Sequence, residues 1–463
     1  MINHSRWRLG AKKLVVAATV GLAVTAGLAV TAGLAGCSGA SSSAGDTPSA
    51  SVTQAQIDAA MKKKTTITIW TWATTLGGIV DAFEKKYPDI TVNVVNVGTG
   101  AAHYQKLENA IKAGSGAPDL ATVEYQTIPQ FALEGSLVDL NTFGYGKYKD
   151  LFTPAIWNST NVNGGLYELP HNAGPTAMFY NKSVFDKYGL DAPTTWAEYA
   201  ADAKTIHEAD PTAYIAADTG DAGTVSSMLW QAGAKPFQVS GTSDVSIDFS
   251  GAAEKKFTDF YQPLLDDKLL MPASGFSNDW YQGLANGKIA TVVSGAWMAG
   301  SLKSSVPTGA GQWRVAPMPQ YEAGTTASAM NGGGGYAMLK QSPKQRQLVA
   351  AEFLKFMETD SQAIQLSIAA GQFPATVKEQ NSSEFLEAKN DYFGGQQINT
   401  IFSQSAADAL KGWQYLPYQS YANSVFSDTA GQAWVGKTTL EDGLKAWGDK
   451  LVTYGKQQGF TVK

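Results

Sequence analysis

The sequence predicts a mixed α/β protein built as two domains. Strand-like and helix-like segments alternate through the first half of the chain. The part able to fold, about 400 residues, is more than a single core usually supports. Cysteine occurs once, at Cys37, so no disulfide staples the fold and each domain must bury a core of its own.

Taken in order, residues 1–36 carry Arg6, Arg8, Lys12 and Lys13 and no acidic residue. An uncharged run of Leu, Val, Ala, Thr and Gly follows from Leu14 to Leu34. A basic start, an apolar middle and a small-residue end make a secretory signal. The apolar run is about long enough to span a bilayer, but Leu34-Ala35-Gly36-Cys37 resembles a lipobox, after which bacterial lipoproteins are cleaved and lipidated on Cys. Cys37 is therefore expected to carry the lipid, outside the cytoplasm on the outer face of the cell membrane. Ser38-Gly39-Ala40 and the Ser-rich stretch behind it cannot form a core, so residues 37–61 are expected to be a flexible tether.

Thr66-Ile67-Thr68-Ile69-Trp70 alternates as a strand, Ile79 to Lys86 reads as a helix, and Ile90 to Val97 is a second β-rich run. His103 to Ala113 is helical, Asp119 to Val123 is a third strand, and Thr127 to Leu133 is a helix stopped at Gly135. This rhythm implies a mostly parallel sheet with helices on both faces. It then changes. Gly165 to Pro170 reads as a strand, His171 to Pro175 interrupts it, and Ala177 to Tyr180 resumes it. A short break between two strands suits a chain crossing from one domain to another. Helices are expected over Thr195 to His207, Phe257 to Leu270 and Ser342 to Glu358, and strands over Ile289 to Val293 and Gly332 to Leu339. The last hundred residues read mainly helical.

Charge excludes several partners. Beyond residue 36 the chain carries 31 Lys and Arg against 40 Asp and Glu. So acidic a protein is a poor nucleic-acid binder. Only Arg314 and Arg346 remain there, and anionic ligands usually recruit the two-pronged guanidinium. His4, His103, His171 and His207 are scattered and make no metal motif. Neither a metal nor a cofactor is expected. Trp, Tyr and Phe are abundant. Most belong in cores, yet an aromatic-rich, Arg-poor protein suits a neutral ligand with apolar faces and many hydroxyls, which describes a sugar.

Several stretches together resemble the family 1 extracellular solute-binding proteins. They are Phe83-Glu84-Lys85-Lys86-Tyr87-Pro88-Asp89-Ile90, Ala117-Pro118-Asp119-Leu120, Tyr180-Asn181-Lys182 with Pro193-Thr194-Thr195-Trp196, Gly287-Lys288-Ile289-Ala290 leading to Ser294-Gly295-Ala296-Trp297, and Gly333-Gly334-Gly335-Tyr336. In this order, spread over most of residues 65–380 behind a lipobox, they make a specific pattern. The resemblance implies a two-lobe periplasmic-binding-protein-like fold, its lobes joined by crossing strands around a central cleft. Lobe 1 would comprise residues 62–172 and 335–385, and lobe 2 residues 173–330 and 386–463. It also implies a monomer that captures a carbohydrate, an oligosaccharide above all, and delivers it to the permease subunits of an ABC importer when the cleft closes.

Sugar binding needs flat aromatics for the C–H faces of the rings and fixed polar groups for the hydroxyls. Trp297 follows a strand end, where α/β sheets place ligands, and the family places a stacking Trp there. Trp70 and Trp72 stand at the end of the first strand; Trp72, nearer the loop, is the one assigned to the cleft. Glu124 and Tyr125 follow the third strand, where a carboxylate would take hydrogen bonds from hydroxyls. Asn172 lies in the crossing, as a ligand contact or a turn-former. Gly333 and Gly334 would let backbone approach the ligand or act as a hinge. Trp230 is a further aromatic candidate, and Phe373-Pro374 and Trp413-Gln414-Tyr415 are left open. The rival readings are a different solute on the same fold and a secreted glycoside hydrolase. The second would need two carboxylates flanking one bond, and nothing marks such a pair. No enzymatic activity is expected.

Overall fold

The computed structural model describes residues 51–217, 221–241 and 243–463. The expected signal, Cys37 and the first part of the expected tether lie outside these residues. The end of that tether differs from expectation. Gln54–Met61 is a helix, α1. Thr53 caps it, with Thr53 and Gln56 bonding reciprocally across the first turn. Ile57, Ala60 and Met61 are buried against the later helix α7 (Lys344–Thr359). Burial of one apolar face turns a stretch that composition marks as loose into part of a core.

The main sheet has seven strands, β1 Thr65–Trp70, β2 Ile90–Val95, β3 Leu120–Glu124, β4 Pro170–Asn181, β5 Thr291–Gly295, β6 Trp313–Ala316 and β7 Met330–Met338. Its first part is the expected parallel unit, with β1 between β2 and β3. β1 alternates as its sequence demands, burying Ile67 and Ile69. Helix α2 (Gly77–Lys86) buries Ile79, Val80 and Phe83, and the Phe83 ring meets Phe353 of α7 edge-on at 4.9 Å. Helix α3 (Ala101–Lys112) buries His103, Tyr104 and Leu107. The Asp119 carboxylate before β3 is buried and accepts from the Thr68 amide at 2.8 Å and the Ser342 hydroxyl at 2.5 Å, with Arg346 Nε 2.9 Å away. One of the two arginines outside the N-terminal segment is thus spent on structure.

A second core gathers helices α4 (Trp196–Ala209), α5 (Ala222–Gln231), α6 (Ala252–Asp266) and α8 (Leu440–Gln457). Thr195 caps α4, while α6 begins earlier than the apolar spacing suggests. Trp447 is fully buried and Trp196 Nε1 donates to Gln231 at 3.0 Å. A three-stranded sheet made of Phe237–Ser240, Asp244–Ile247 and the C-terminal Thr461–Val462 closes this side.

Two strands join the cores. β4 is continuous for 12 residues, where the sequence suggests a break at residues 171–175. Its first half pairs with β7 and its second half with β5 and β6. The prolines and glycine there remove no needed hydrogen bond. The Ala173 amide bonds Phe373 O and the Thr176 amide bonds Ala329 O. β7 likewise pairs with β3 at one end and β4 at the other, with a bulge between Met330 and Gly333. The result is a two-lobe α/β fold with crossing strands at its centre.

Candidate ligand-binding cleft

The crossing places several predicted residues in one row. Gly334 of β7 pairs with Glu124 of β3 on one side and with Asn172 of β4 on the other. A Cβ at Gly334 would stand 2.8 Å from Glu124 Cα, so only glycine lets the strands come this close. Gly333 has φ +99°, and a Cβ there would meet the Tyr125 ring at 3.1 Å. The glycine run both shapes the bulge and makes room for Tyr125.

On the first core's side, Glu124 is held by a local network. The Tyr104 hydroxyl donates to Glu124 Oε2 at 3.0 Å and accepts from the Glu124 amide at 3.0 Å. Gln126 Nε2 adds a 3.3 Å bond to the same oxygen. Burial raises the Glu124 carboxyl above its ordinary range, the Tyr104 and Gln126 hydrogen bonds oppose this, and the charge of Asp221, at the N-terminus of α5, raises it further. Trp72 stands behind this network, edge-on to His103 at 4.8 Å and to Tyr104 at 6.0 Å. His103 is pushed down to about 4 by burial, so it is neutral at physiological pH.

The facing side is aromatic. Trp230, near the end of α5, stacks on Trp413 with centroids 5.3 Å apart and planes within 5°. Trp230 Nε1 is anchored on Leu410 O at 2.6 Å, whereas Trp413 Nε1 has no partner. Tyr415 follows, 6.2 Å from Trp413. Burial, and then the charge of Glu124, lift the Tyr415 phenol above its usual range, which ties this wall to the polar one. Between the walls lies a cavity of about 520 Å³. Tyr125, Pro154, Asn158, Ser159, Asn161 and Asn163 line it from the first core, Ala173, Gly174, Met330 and Gly332 from the crossing, and Trp230, Lys411, Trp413, Gln414 and Tyr415 from the second core.

Tyr125 and Trp230 thus line the cavity, and Glu124 and Gly333 adjoin its lining. Tyr125 also donates to Asn172 O at 2.7 Å. The Asn172 side chain is engaged inside the protein, accepting from the Gly334 amide at 3.1 Å and donating to Gln372 Oε1 at 2.7 Å. Trp297 and Trp72 do not line the cavity. Trp297 donates from Nε1 to Asn331 O at 2.8 Å, and its ring lies 6.0 Å from that of Phe276. Phe373 is core, packed on Phe385 and Phe402. Sequence reasoning missed Tyr104, Asp221 and the polar loop at 158–163. A short polar loop carries no period, but Tyr104 is within reach of the pattern, because it directly follows His103 at the start of an expected helix. Among the described residues no group of three or more His, Cys, Asp or Glu is placed to hold a metal. No helix among them is long and apolar enough to cross a membrane.

Comparison with known proteins agrees with this architecture. Residues 71–364 match the family described as bacterial extracellular solute-binding protein, and the chain belongs to that family. It is similar to an ABC-transporter-associated binding protein of B. animalis subsp. lactis Bl-04 solved with β-1,6-galactobiose. That likeness is 41% in sequence, covers 87% of this chain and 100% of that one, and has a TM-score of 0.80. The galacto-N-biose/lacto-N-biose I-binding protein of Bifidobacterium longum, solved with lacto-N-biose, is 29% identical over 86% of this chain and 99% of its own, with a TM-score of 0.75. An arabinooligosaccharide-binding protein of Bacillus subtilis is 29% identical over 368 residues, 75% of this chain and 82% of that protein.

Proposed function

We propose that this protein is the lipid-anchored, extracytoplasmic binding component of an ABC importer and that its cleft takes a neutral oligosaccharide. The carrying observation is the cavity between an aromatic wall, Trp230–Trp413–Tyr415, and a polar one of Tyr125, Asn158, Ser159, Asn161 and Asn163, with Glu124 adjoining it. Stacked indoles offer a flat apolar face, and the carboxylate and the asparagines of 158–163 offer hydrogen bonds to hydroxyls. Its volume falls in the range of roughly 300–1,000 Å³ usual for small-molecule sites. The sugar-binding relatives support the same reading, and β-1,6-galactobiose is the first ligand to try.

In this reading Trp72 and Trp297 contact the ligand when the lobes close, and Gly332 to Gly334 absorb the motion. The lobes are residues 62–172 with 335–385, to which α1 now adds, and 173–330 with 386–463. The protein works as a monomer, is tethered through lipidated Cys37, and hands its ligand to the permease subunits unchanged. Isothermal titration against galactobiose, lacto-N-biose, arabino-oligosaccharides and maltose tests the ligand class. Saturable binding that survives 0.5 M salt, with the sugar recovered intact, supports a neutral-ligand carrier, since charged contacts are screened. Binding only to an anionic or peptide solute overturns the sugar assignment, and cleaved sugar overturns the carrier role. The mass of the N-terminal peptide from membranes tests the anchor.

A further inference from the structure

We infer that a lysine-bearing face at the N-terminal end of the first lobe is a second membrane contact, resting on anionic lipid headgroups. The chain enters the described fold at Val52, whose amide donates to Thr142 O at 2.7 Å. Helix α1 follows, antiparallel to α7, with Gln54 facing Lys355 and Ala60 facing Gln345. Lys62, Lys63 and Lys64 come next, all exposed, immediately before β1. Lys344, beside Gln345, is exposed and lies over the Phe143 ring at 5.4 Å, and Phe143 adjoins Thr142. Among the described residues none of these four lysines makes an ion pair, whereas Lys86, Lys112, Lys355 and Lys378 of the same lobe each do. Asp58 on α1, Asp89 before β2 and Asp139, which caps the turn of Thr142 and Phe143, are carboxylates near this face, the first two exposed. Four unpaired cations thus gather about the C-terminal end of α1, one short helix from the chain's entry, in an otherwise acidic protein.

Three arguments select a lipid surface as the occupant. Each lysine near an anionic leaflet adds about fivefold to the affinity. The rest of the protein is net negative and is repelled by such a surface, so a cluster of unpaired lysines is the part suited to meet it. The 14 residues from 37 to 50 reach at most roughly 50 Å, so an anchored chain keeps the face at high local concentration near the membrane. The geometry also gives the contact a consequence. Lys62 to Lys64 precede β1, while Glu124 ends the parallel neighbour β3. The lysines and the cleft therefore sit at opposite ends of the same strands, and a lobe resting on its lysines turns its cleft away from the lipid.

This inference rests on the membrane-anchored reading, and its test does not use the anchor. The chain from residue 37 with Cys37→Ser is sedimented with vesicles of equimolar phosphatidylglycerol and phosphatidylcholine, and with pure phosphatidylcholine, at low and at 300 mM salt. Binding confined to the anionic vesicles, lost at high salt and weakened at least tenfold by K62E/K63E/K64E, is the expected result. An unchanged melting temperature and sugar affinity in the triple variant show that it remains folded. Equal binding to both vesicles, no binding at low salt, or a triple variant that binds like the parent overturns the proposal. Lipidation failing at Cys37 would leave this result untouched and overturn only the anchor.

Discussion

The two walls of the cleft differ in how they are built and in what they offer a solute. The wall from the first core is polar and local. Tyr125 and the polar residues of 158–163 line it, and the Glu124–Gln126–Tyr104 network adjoins it at the end of β3. The wall from the second core is aromatic and non-local, since Trp230 and Trp413 are far apart in sequence yet stack within 5° of parallel. The first supplies directed hydrogen bonds from groups already held in place. The second supplies area. A ligand of rings and hydroxyls needs both, and single substitutions on each wall reveal how the affinity divides between them.

The largest effect is expected on the aromatic wall. Trp413→Ala removes half of the stacked pair without breaking a hydrogen bond, because its Nε1 has no partner. Central aromatic truncations typically cost about 2 kcal/mol, roughly thirtyfold in Kd. Calorimetric titration with the best oligosaccharide should show that loss, with the melting temperature reporting the fold. A loss below threefold would mean that the stack faces no sugar ring.

Glu124→Gln is next, at about tenfold, the value of a charge-assisted hydrogen bond of about 1.5 kcal/mol. It also carries a pH signature. Burial holds the Glu124 carboxyl above its ordinary range, and the ionised form is the better acceptor. Affinity should therefore fall as pH drops through that raised value, and Glu124→Gln should flatten the profile. A wild-type affinity level from pH 8 to pH 4 would remove Glu124 from the binding wall.

How legible each wall is in the sequence follows from the same difference. Thr66 to Trp70 alternates visibly and Asp119 to Val123 is a short β-rich run, so β1, β3 and the positions of Glu124 and Tyr125 can be read directly. The Gly333–Gly334 approach can be read too, because glycines that free a backbone stand out. The Trp230–Trp413 stack cannot, since nothing local distinguishes a cleft indole from a core one such as Trp447. Composition also misleads. Residues up to 61 read as tether, although Thr53 and Gln56 already spell a capping box. The apparent break at His171 to Pro175 is a continuous strand, because loop carbonyls of Phe373 and Ala329 take up its amides.

Trp297 tests whether closure enlarges the aromatic wall. It lies off the cavity, anchored on Asn331 O. If the ring reaches the sugar only when the lobes close, Trp297→Ala should cost about fivefold in Kd, near 1 kcal/mol. Small-angle scattering with saturating sugar would then show a variant less compact than wild type. Unchanged affinity and compaction would confine Trp297 to packing.

The smallest effect on affinity is expected from a second carboxyl, Glu168, which separates wall from scaffold. It is fully buried beside the crossing, and neither carboxylate oxygen has a hydrogen-bond partner of good geometry. Glu358, whose Oε1 accepts from His171 Nδ1 at 2.9 Å, shares this pocket. Burial, then the Glu358 charge, hold Glu168 well above the usual carboxylate range, with the Gly335 amide opposing. A raised folded-state value means that the native protein binds the proton more tightly than the unfolded chain does. Stability from this group is therefore greatest below the ordinary carboxylate range, declines as pH rises toward the raised value, and stays lowest above it. Glu168→Gln keeps the shape and removes the charge. It should leave sugar affinity within twofold while raising the melting temperature at pH 8 more than at pH 5. Thermal denaturation at the two pH values, paired with one titration, decides the matter. A tenfold loss of affinity would show that the polar wall extends through the crossing to Glu168, and that the scaffold behind the cleft also takes part in binding.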